Sequence, residues 1–382
     1  MRIGINFQAK DECFSGVEYY SLNLIRALTE HAPEHQYVVF TNRPSVVRQW
    51  VSPGGDVEIR PSKYPSWRVG RIAWEHLVLP RLARRERLDV LHCPCYIGPC
   101  LGGGVPCVVT IHDTIALDHP RWCTRSNAAY YRLLMKASAR RAAKIVAVSR
   151  RTGRDIQRRL GVESGRIQVV YPGLEGRFTN QSNPSPGHQA VLRRKYGLPD
   201  KFLLHVGNFE PRKNLGCLLR AVQLLRRQDG SCKLVLVGHR HWGTSELLEE
   251  LSSAGGSEGI VRTGYVDRED LPGIYRLSEA YVCPSLHEGF GFPPLEAMAC
   301  GVPVIASDRG SLGETLGDAA CTIDPMDPLD ISDALHRVLA DARFREELIR
   351  RGLARSRMFR WETAVRQLLM VYAEAAGAGK TG

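Results

Sequence analysis

The chain from His287 to Ser307 reads HEGFGFPPLEAMACGVPVIAS. Two glutamates, Glu288 and Glu296, stand eight positions apart around a Gly-Phe-Gly-Phe-Pro-Pro turn. Ahead of them, AYVCPS at residues 280–285 is an uninterrupted apolar run of the kind a buried strand makes. Behind them, Pro293 or Pro294 suits the first helical position, where a missing N–H costs nothing. Leu295, Met298 and Ala299 share one helical face, and Gly301 suits the stop. VPVIA at 302–306 then resumes as a strand.

The unit is therefore strand, glycine-rich turn, helix, strand. Backbone N–H groups at such a turn and the dipole of the helix behind it favour an anion such as phosphate. Glu288 falls at the C-terminal end of the strand, where ligands of open α/β sheets bind, and Glu296 can face the same crevice. A carboxylate repels phosphate, so the partners expected for the two acids are hydroxyls of a ribose or hexose. Two isolated glutamates would read as solvated or capping charges; the flanking glycines and prolines argue for a site.

This block resembles the donor-site motif of retaining glycosyltransferases of the group 1, or family 4, type, in which two glutamates are separated by seven residues. Other segments carry the resemblance across most of the chain. Gly16 lies at a loop just before a helix whose Tyr20, Leu24, Ile25 and Leu28 form one face, where the family carries a glycine-containing loop near donor phosphate and acceptor. His112 and Asp113 end the strand-like run VPCVVTI and match the family's T-x-H-D, whose histidine lies by the transferred sugar. AVS at 147–149 and VVYPG at 169–173 follow in family order. VGNFEPRKNL at 206–215 is similar to the phosphate-binding segment, with Arg212 and Lys213 at the lip of a strand-to-helix turn. Arg offers a bidentate fork there and Lys a compact charge; Asn214 can cap the helix that follows. Val266, after Tyr265, falls where the family presents backbone near the base.

The resemblance implies an α/β protein of two doubly wound Rossmann-like domains facing a central cleft, the GT-B fold. Alternation of strand and helix in both halves agrees with it. The expected divisions are an acceptor-side domain at 1–178, a linker at 179–198 (NQSNPSPGHQ is linker-like in composition), a nucleotide-sugar domain at 199–358, and a last helix at 359–376 crossing back to the first domain. The implied activity is retaining hexosyl transfer from a nucleotide sugar to a glycan or lipid-linked acceptor, with catalytic His112 and Glu288. Donor contacts fall to Gly16, Arg212, Lys213, Val266, Glu288, Gly289, Phe290, Gly291 and Glu296. The segments WEHLVLP, TIHD and EGFGFPPLEAMACGVPV look most like bacterial mannosyltransferases of surface polysaccharide synthesis, so GDP-mannose is the first donor expected and a UDP-hexose the second. No Asp-x-Asp pair occurs in the sequence, and the cations can replace a metal, so no metal or other cofactor is expected.

Composition sets the remaining bounds. At 382 residues, 43% hydrophobic and 24% charged, the chain suits two soluble domains. The net charge of +12 is uneven: 30 Lys+Arg against 15 Asp+Glu through residue 198 give +15, and 22 against 25 beyond it give −3. A basic first half implies an acidic partner. Residues 60–87 mix Tyr64, Trp67 and Trp74 with Arg68, Arg71, Arg81, Arg84 and Arg85, a composition suited to an anionic membrane surface and also to a solvated helix. The N-terminus lacks an apolar signal core, and the uncharged run 90–112 is broken by Pro94, Pro99, Pro106 and Gly102–Gly104. A cytoplasmic protein, peripheral on the inner membrane face, is the expectation. Cys93, Cys95, Cys100 and Cys107 match no zinc spacing and read as free thiols, with a metal site second. A nucleotide-sugar epimerase of the same fold is the alternative function; a nucleic-acid-binding protein is more remote, and no nucleic acid is expected as a partner.

Overall fold

A computed structural model of the protein describes residues 1–9, 14–51, 56–63, 68–101, 104–179, 185–228, 230–239 and 259–378. The chain divides into two compact units, Met1–Gly173 with Arg360–Gly382, and Leu174–Phe359.

The first unit holds β1 (Arg2–Phe7), β2 (Gln36–Thr41), β3 (Val57–Pro61), β4 (Val90–Cys93), β5 (Cys107–Ile111), β6 (Lys144–Ala147) and β7 (Ile167–Val169). They form one sheet in the order β3-β2-β1-β4-β5-β6-β7, and every pairing is parallel. A parallel sheet is covered by helices on both faces, which is why its strands read as apolar runs without polar alternation. Val38, Phe40, Leu91, Val109, Ile111 and Ile145 are packed into one core with Trp74, Leu79 and Met135 from the covering helices.

The second unit repeats the plan with β8 (Leu203–Val206), β9 (Leu234–Val237), β10 (Ile260–Gly264), β11 (Ala280–Cys283), β12 (Val304–Ser307) and β13 (Cys321–Ile323). Their order is β10-β9-β8-β11-β12-β13, again all parallel. Strand order reverses between β1 and β4 in one unit and between β8 and β11 in the other. At such reversals the crossing connections diverge to opposite faces and leave a crevice at the strands' C-terminal ends.

Three sequence expectations change. The helix Phe292–Ala299 starts at its two prolines as read, but it is no amphipathic helix: Leu295, Glu296, Ala297, Met298 and Ala299 are all buried. The linker span 179–198 contains a helix, Pro186–Tyr196, started by the Ser185 hydroxyl accepting from the His188 N–H and by proline at its first turn. Leu192 on its buried side supplies the anchoring that linker-like composition conceals; residues 180–184 of that span lie outside those described. Trp74 is buried in the first unit's core rather than held at a surface, because the chain makes a π-helical turn over Trp74–Val78 that swings the ring inward and leaves Leu77 and Val78 exposed. Tyr64 and Trp67 fall outside the described residues, as does the end of the tail from 379.

Each reversal carries a wholly buried histidine, His92 on β4 and His205 on β8. Burial pulls His92 down to about 3; burial, then Lys213, pulls His205 down to about 4. Both are neutral when folded. From the ordinary histidine value of 6.5 down to the folded one, the unfolded chain binds the proton and the folded chain does not. Stability therefore falls with falling pH, by about 1.4 kcal/mol per pH unit for each histidine. Replacing His205 by Leu is expected to flatten the decline in urea-unfolding free energy between pH 6.5 and pH 4, and an unchanged slope would contradict its neutral burial.

Candidate functional site

In the second unit the site is built at the C-terminal ends of β8 and β11. After β8 the chain makes a 3-10 turn, Pro211–Lys213, before the helix Leu215–Gln228. That turn delivers Arg212 and Lys213 to a single buried carboxylate, Glu288. Arg212 Nη1 lies 2.7 Å from Glu288 Oε2, and Lys213 Nζ lies 2.5 Å from Oε1. The Ser285 hydroxyl donates to Oε1 at 2.8 Å. Arg212 Nε also meets Glu210 at 2.7 Å. Burial alone would raise the Glu288 carboxyl, but Arg212 and Lys213, with hydrogen bonds from Lys213 and Ser285, hold it far below the usual carboxylate range.

The backbone around Glu288 is fixed as firmly as its side chain. Its carbonyl accepts from both the N–H and the hydroxyl of Ser311, each at 3.0 Å. Gly310 sits against it at φ +67°, and a Cβ there would stand 2.6 Å from both Glu288 N and O. Gly291, at φ +92°, turns the chain into the Phe292–Ala299 helix, and a Cβ there would meet Leu312 at 2.7 Å. Only glycine meets both demands at these two places. Just before Gly291 the Phe290 side chain is buried edge-on to Phe292 and Phe359, so that ring fills the core.

Glu296 is bound to a different set of partners. Arg268 Nη2 donates to its Oε1 at 2.7 Å, and the Tyr275 hydroxyl to its Oε2 at 3.1 Å. Arg268 also grips Glu175 through Nε and Nη2, at 3.0 and 2.6 Å, and lies over the Phe178 ring. Burial raises the Glu296 carboxyl and Glu175 adds to that, against the pull of Arg268. Arg268 stays charged, since the two carboxylates outweigh its burial. Val266 is buried just past β10, and the neighbouring Tyr265 stacks on His239 with 5.6 Å between ring centres. Asn214, expected as a helix cap, takes a left-handed conformation, and its amide donates to the Pro325 carbonyl.

In the first unit, His112 and Asp113 follow β5 as read. His112 Nε2 lies 2.8 Å from the Pro94 carbonyl. A carbonyl can only accept, so Nε2 carries the proton, and Nδ1 of the neutral ring is the acceptor. Burial lowers its pKa while Pro94 and Asp113 pull the other way. Tyr96 packs on this ring and donates to Asp113 at 2.7 Å, holding a left-handed backbone conformation that non-glycine residues rarely adopt. Gly16 opens the helix Gly16–His31; a Cβ there meets nothing within 4 Å, so the fold itself does not require the glycine. The described cysteines are free: Cys93 and Cys107 approach with their sulfurs 3.9 Å apart. Among the described residues no group of three or more His, Cys, Asp or Glu is placed to hold a metal, and no helix is long and apolar enough to cross a membrane.

Sequence reasoning missed Arg268, Tyr275, Ser285, Ser311 and Gly310. Arg268 sits among acids in YVDRED, where a solvated arginine is the ordinary reading, and nothing local marks it as buried. The pairing of Glu288 with both cations was equally out of reach, since it joins residues 75 and 76 positions apart.

Two parallel α/β sheets that share one strand order over six strands, each covered by helices, are the two-Rossmann-domain GT-B fold. HepE of Anabaena, solved in complex with UDP, has this fold: its structure matches over 98% of this chain and 100% of its own at a TM-score of 0.75 and 19% identity. The model of glycosyl transferases group 1 matches residues 189–355, and that of glycosyltransferase family 4 matches residues 14–175. O-antigen chain mannosyltransferase B of Escherichia coli is 35% identical over 268 residues, covering 69% of each chain. The serotype-specific mannosyltransferase WbdA of Escherichia coli is 32% identical over 260 residues, 66% of this chain, which spans about a third of WbdA's length (32%). The chain belongs to the group 1 glycosyltransferases and is an enzyme of the hexosyltransferase class.

Removing one partner of a buried ion pair strands the other charge. Lys213→Met is therefore expected to cost about 3 kcal/mol of unfolding free energy, with Arg212 limiting the loss. Adding Glu288→Leu should return most of it. Urea unfolding measures both, and a double variant no more stable than the single one would refute the pairing.

Proposed function

We propose that the enzyme is a retaining, metal-independent hexosyltransferase that moves mannose from GDP-mannose to a glycan or lipid-linked acceptor, with a UDP-hexose as the second donor choice. The observation that carries this reading is the Arg212–Glu288–Lys213 cluster at the reversal of the second sheet. Mannosyltransferases among the similar proteins support the sugar; the UDP bound in HepE supports a nucleotide-sugar donor.

Arg212, Lys213 and the N–H groups around Gly289–Gly291 receive the diphosphate and stabilise charge as it leaves. Glu296, held by Arg268 and Tyr275, takes the ribose hydroxyls, and backbone at Val266 meets the base. Glu288 orients the hexose and stabilises positive character at the anomeric carbon. The acceptor hydroxyl bonds to that carbon from the face the diphosphate leaves, which retains configuration, and its proton passes to the leaving phosphate oxygen. In the first unit, Gly16 leaves room beside a helix start for phosphate or acceptor, and His112 presents its Nδ1 acceptor to a sugar hydroxyl. The positive side chains do the work a divalent ion would do on the diphosphate.

The proposed membrane contact draws on other side chains of the first unit, since Trp74 is buried. Val69, Leu77 and Val78 are exposed, as are Arg81, Arg84 and Arg85 in the same stretch of chain. Apolar side chains among arginines suit an anionic leaflet, and a lipid-linked acceptor would be met there by a cytoplasmic, peripheral enzyme.

Three measurements test these readings. A thermal-shift panel of GDP-, UDP-, ADP- and dTDP-sugars should show a selective stabilisation by GDP-mannose that the Arg212→Ala/Lys213→Ala double variant lacks. Transfer should continue in excess EDTA; loss of turnover on chelation would overturn metal independence. Replacing Arg81, Arg84 and Arg85 with Ser should reduce sedimentation with phosphatidylglycerol vesicles and leave transfer to a soluble acceptor unchanged, and undiminished vesicle binding would remove the patch from the account.

A further inference from the structure

The last helix, Trp361–Ala378, belongs to the first unit and packs against the Gly16–His31 helix and on β4 and β5. Its two ends engage one buried polar chain. Near the C-terminal end, the Tyr372 hydroxyl meets His92 Nδ1 at 2.7 Å. His92 Nε2 meets the Thr110 hydroxyl at 2.8 Å, and that hydroxyl meets the Tyr20 hydroxyl at 3.5 Å. Tyr20 then stands edge-on to the His112 ring, with 4.7 Å between centres. At the helix start, the Trp361 ring also packs on Tyr20, with 5.6 Å between centres, and its backbone N lies so close to Gly173 that any side chain there would collide with it.

His92, Thr110, Tyr20 and Tyr372 are each almost wholly inaccessible to solvent. Burial, with His112 nearby as a second cause, keeps His92 neutral, so one ring nitrogen donates and the other accepts. The two short bonds at His92 therefore run in one sense, and the longer Thr110–Tyr20 contact, in which either hydroxyl can donate, adjusts to them. A buried histidine with both nitrogens engaged is satisfied, but a purely structural one needs no route of hydroxyls leading to Tyr20. This route starts on the last helix and ends against the ring assigned to the sugar.

We propose that Tyr372, through His92, Thr110 and Tyr20, is a positioning residue that sets the orientation of His112, so that the last helix takes part in the sugar-facing chemistry of the first unit. The proposal rests on the reading of His112 given above. None of these four residues needs to touch substrate. Their work is to hold the plane of Tyr20 and hence the plane of the imidazole beside it. Small errors in such a plane are costly, because an ångström of displacement at a reacting group lowers rate by up to about a hundredfold.

Tyr372→Phe and Thr110→Val each remove one hydroxyl at nearly constant shape. Both should lower kcat by about tenfold with the donor KM unchanged, and Thr110→Ser, which keeps the hydroxyl, should restore it. The Tyr372→Phe/Thr110→Val double variant should be no worse than the poorer single one. In protein labelled with 15N-histidine, both variants should move the His112 ring resonances, assigned by their loss in His112→Ala. Unmoved His112 resonances in both variants, or equal losses of kcat and of donor affinity together with a lowered melting temperature, would overturn the proposal. Full activity of His112→Ala would instead remove the role given to His112, while the resonances would still decide whether the chain orients it.

Discussion

A carboxylate with two cations on it, closed off from water, is the constraint around which the second unit is arranged. Glu288 has its own backbone locked by Ser311 and crowded by Gly310, while its side chain is gripped by Arg212, Lys213 and Ser285. Burying such a charge is expensive unless every lone pair is met, and here the elements that meet them come from both strands at the reversal and from the turn after β12. The same contacts alter the electrostatic picture. Two adjacent cations suggest a strongly positive pocket, yet Arg212 is shared between Glu288 and Glu210, so the cluster is close to neutral. On the donor role proposed above, a diphosphate would be held by exchange with Glu288 at these cations as much as by net charge.

The two units solve one topological problem with different side chains. Each reversal brings a buried neutral histidine to a strand beside it. In the second unit His205 hydrogen-bonds the Val282 carbonyl and stays near Lys213. In the first unit His92 faces the last helix. The same order over six strands, with a seventh added in the first unit, thus yields a charged site in one unit and a hydroxyl-lined chain in the other.

Much of this was legible in the sequence, for physical reasons. Buried parallel strands must be apolar on both faces, so LVLV, AYVC and VIAS stand out. Proline and glycine punctuate the turn at 289–294, where Gly291 is left-handed and the prolines start the helix; that turn located Glu288 and Glu296, and the resemblance of VGNFEPRKNL located Arg212 and Lys213. What stayed hidden depends on distant partners or on side-chain direction. Trp74 looked like an interfacial aromatic until a π-helical turn pointed it inward. Arg268 looked solvated until Glu175 and Glu296 closed on it. Pro186–Tyr196 was disguised by the polar residues leading into it. Tyr372 is one aromatic on a long helix, and its partner His92 lies 280 positions away.

The second unit is spliced into the first. The chain leaves the first unit at Gly173 and returns at Arg360, with Leu174 and Phe359 joined by a backbone hydrogen bond where the two passages begin and end. On the ribosome this order reverses the ordinary sequence of events. The second unit has all of its strands and helices before the last helix exists, so the unit begun first is finished second. Until that helix emerges, Tyr20 lacks the cover of Trp361 and His92 lacks its bond to Tyr372, leaving polar groups of β4 and β5 open to water. Translation stopped short of Arg360 would therefore release a chain with a complete second unit and an unsealed first sheet, the kind of half-made product that cellular quality control removes.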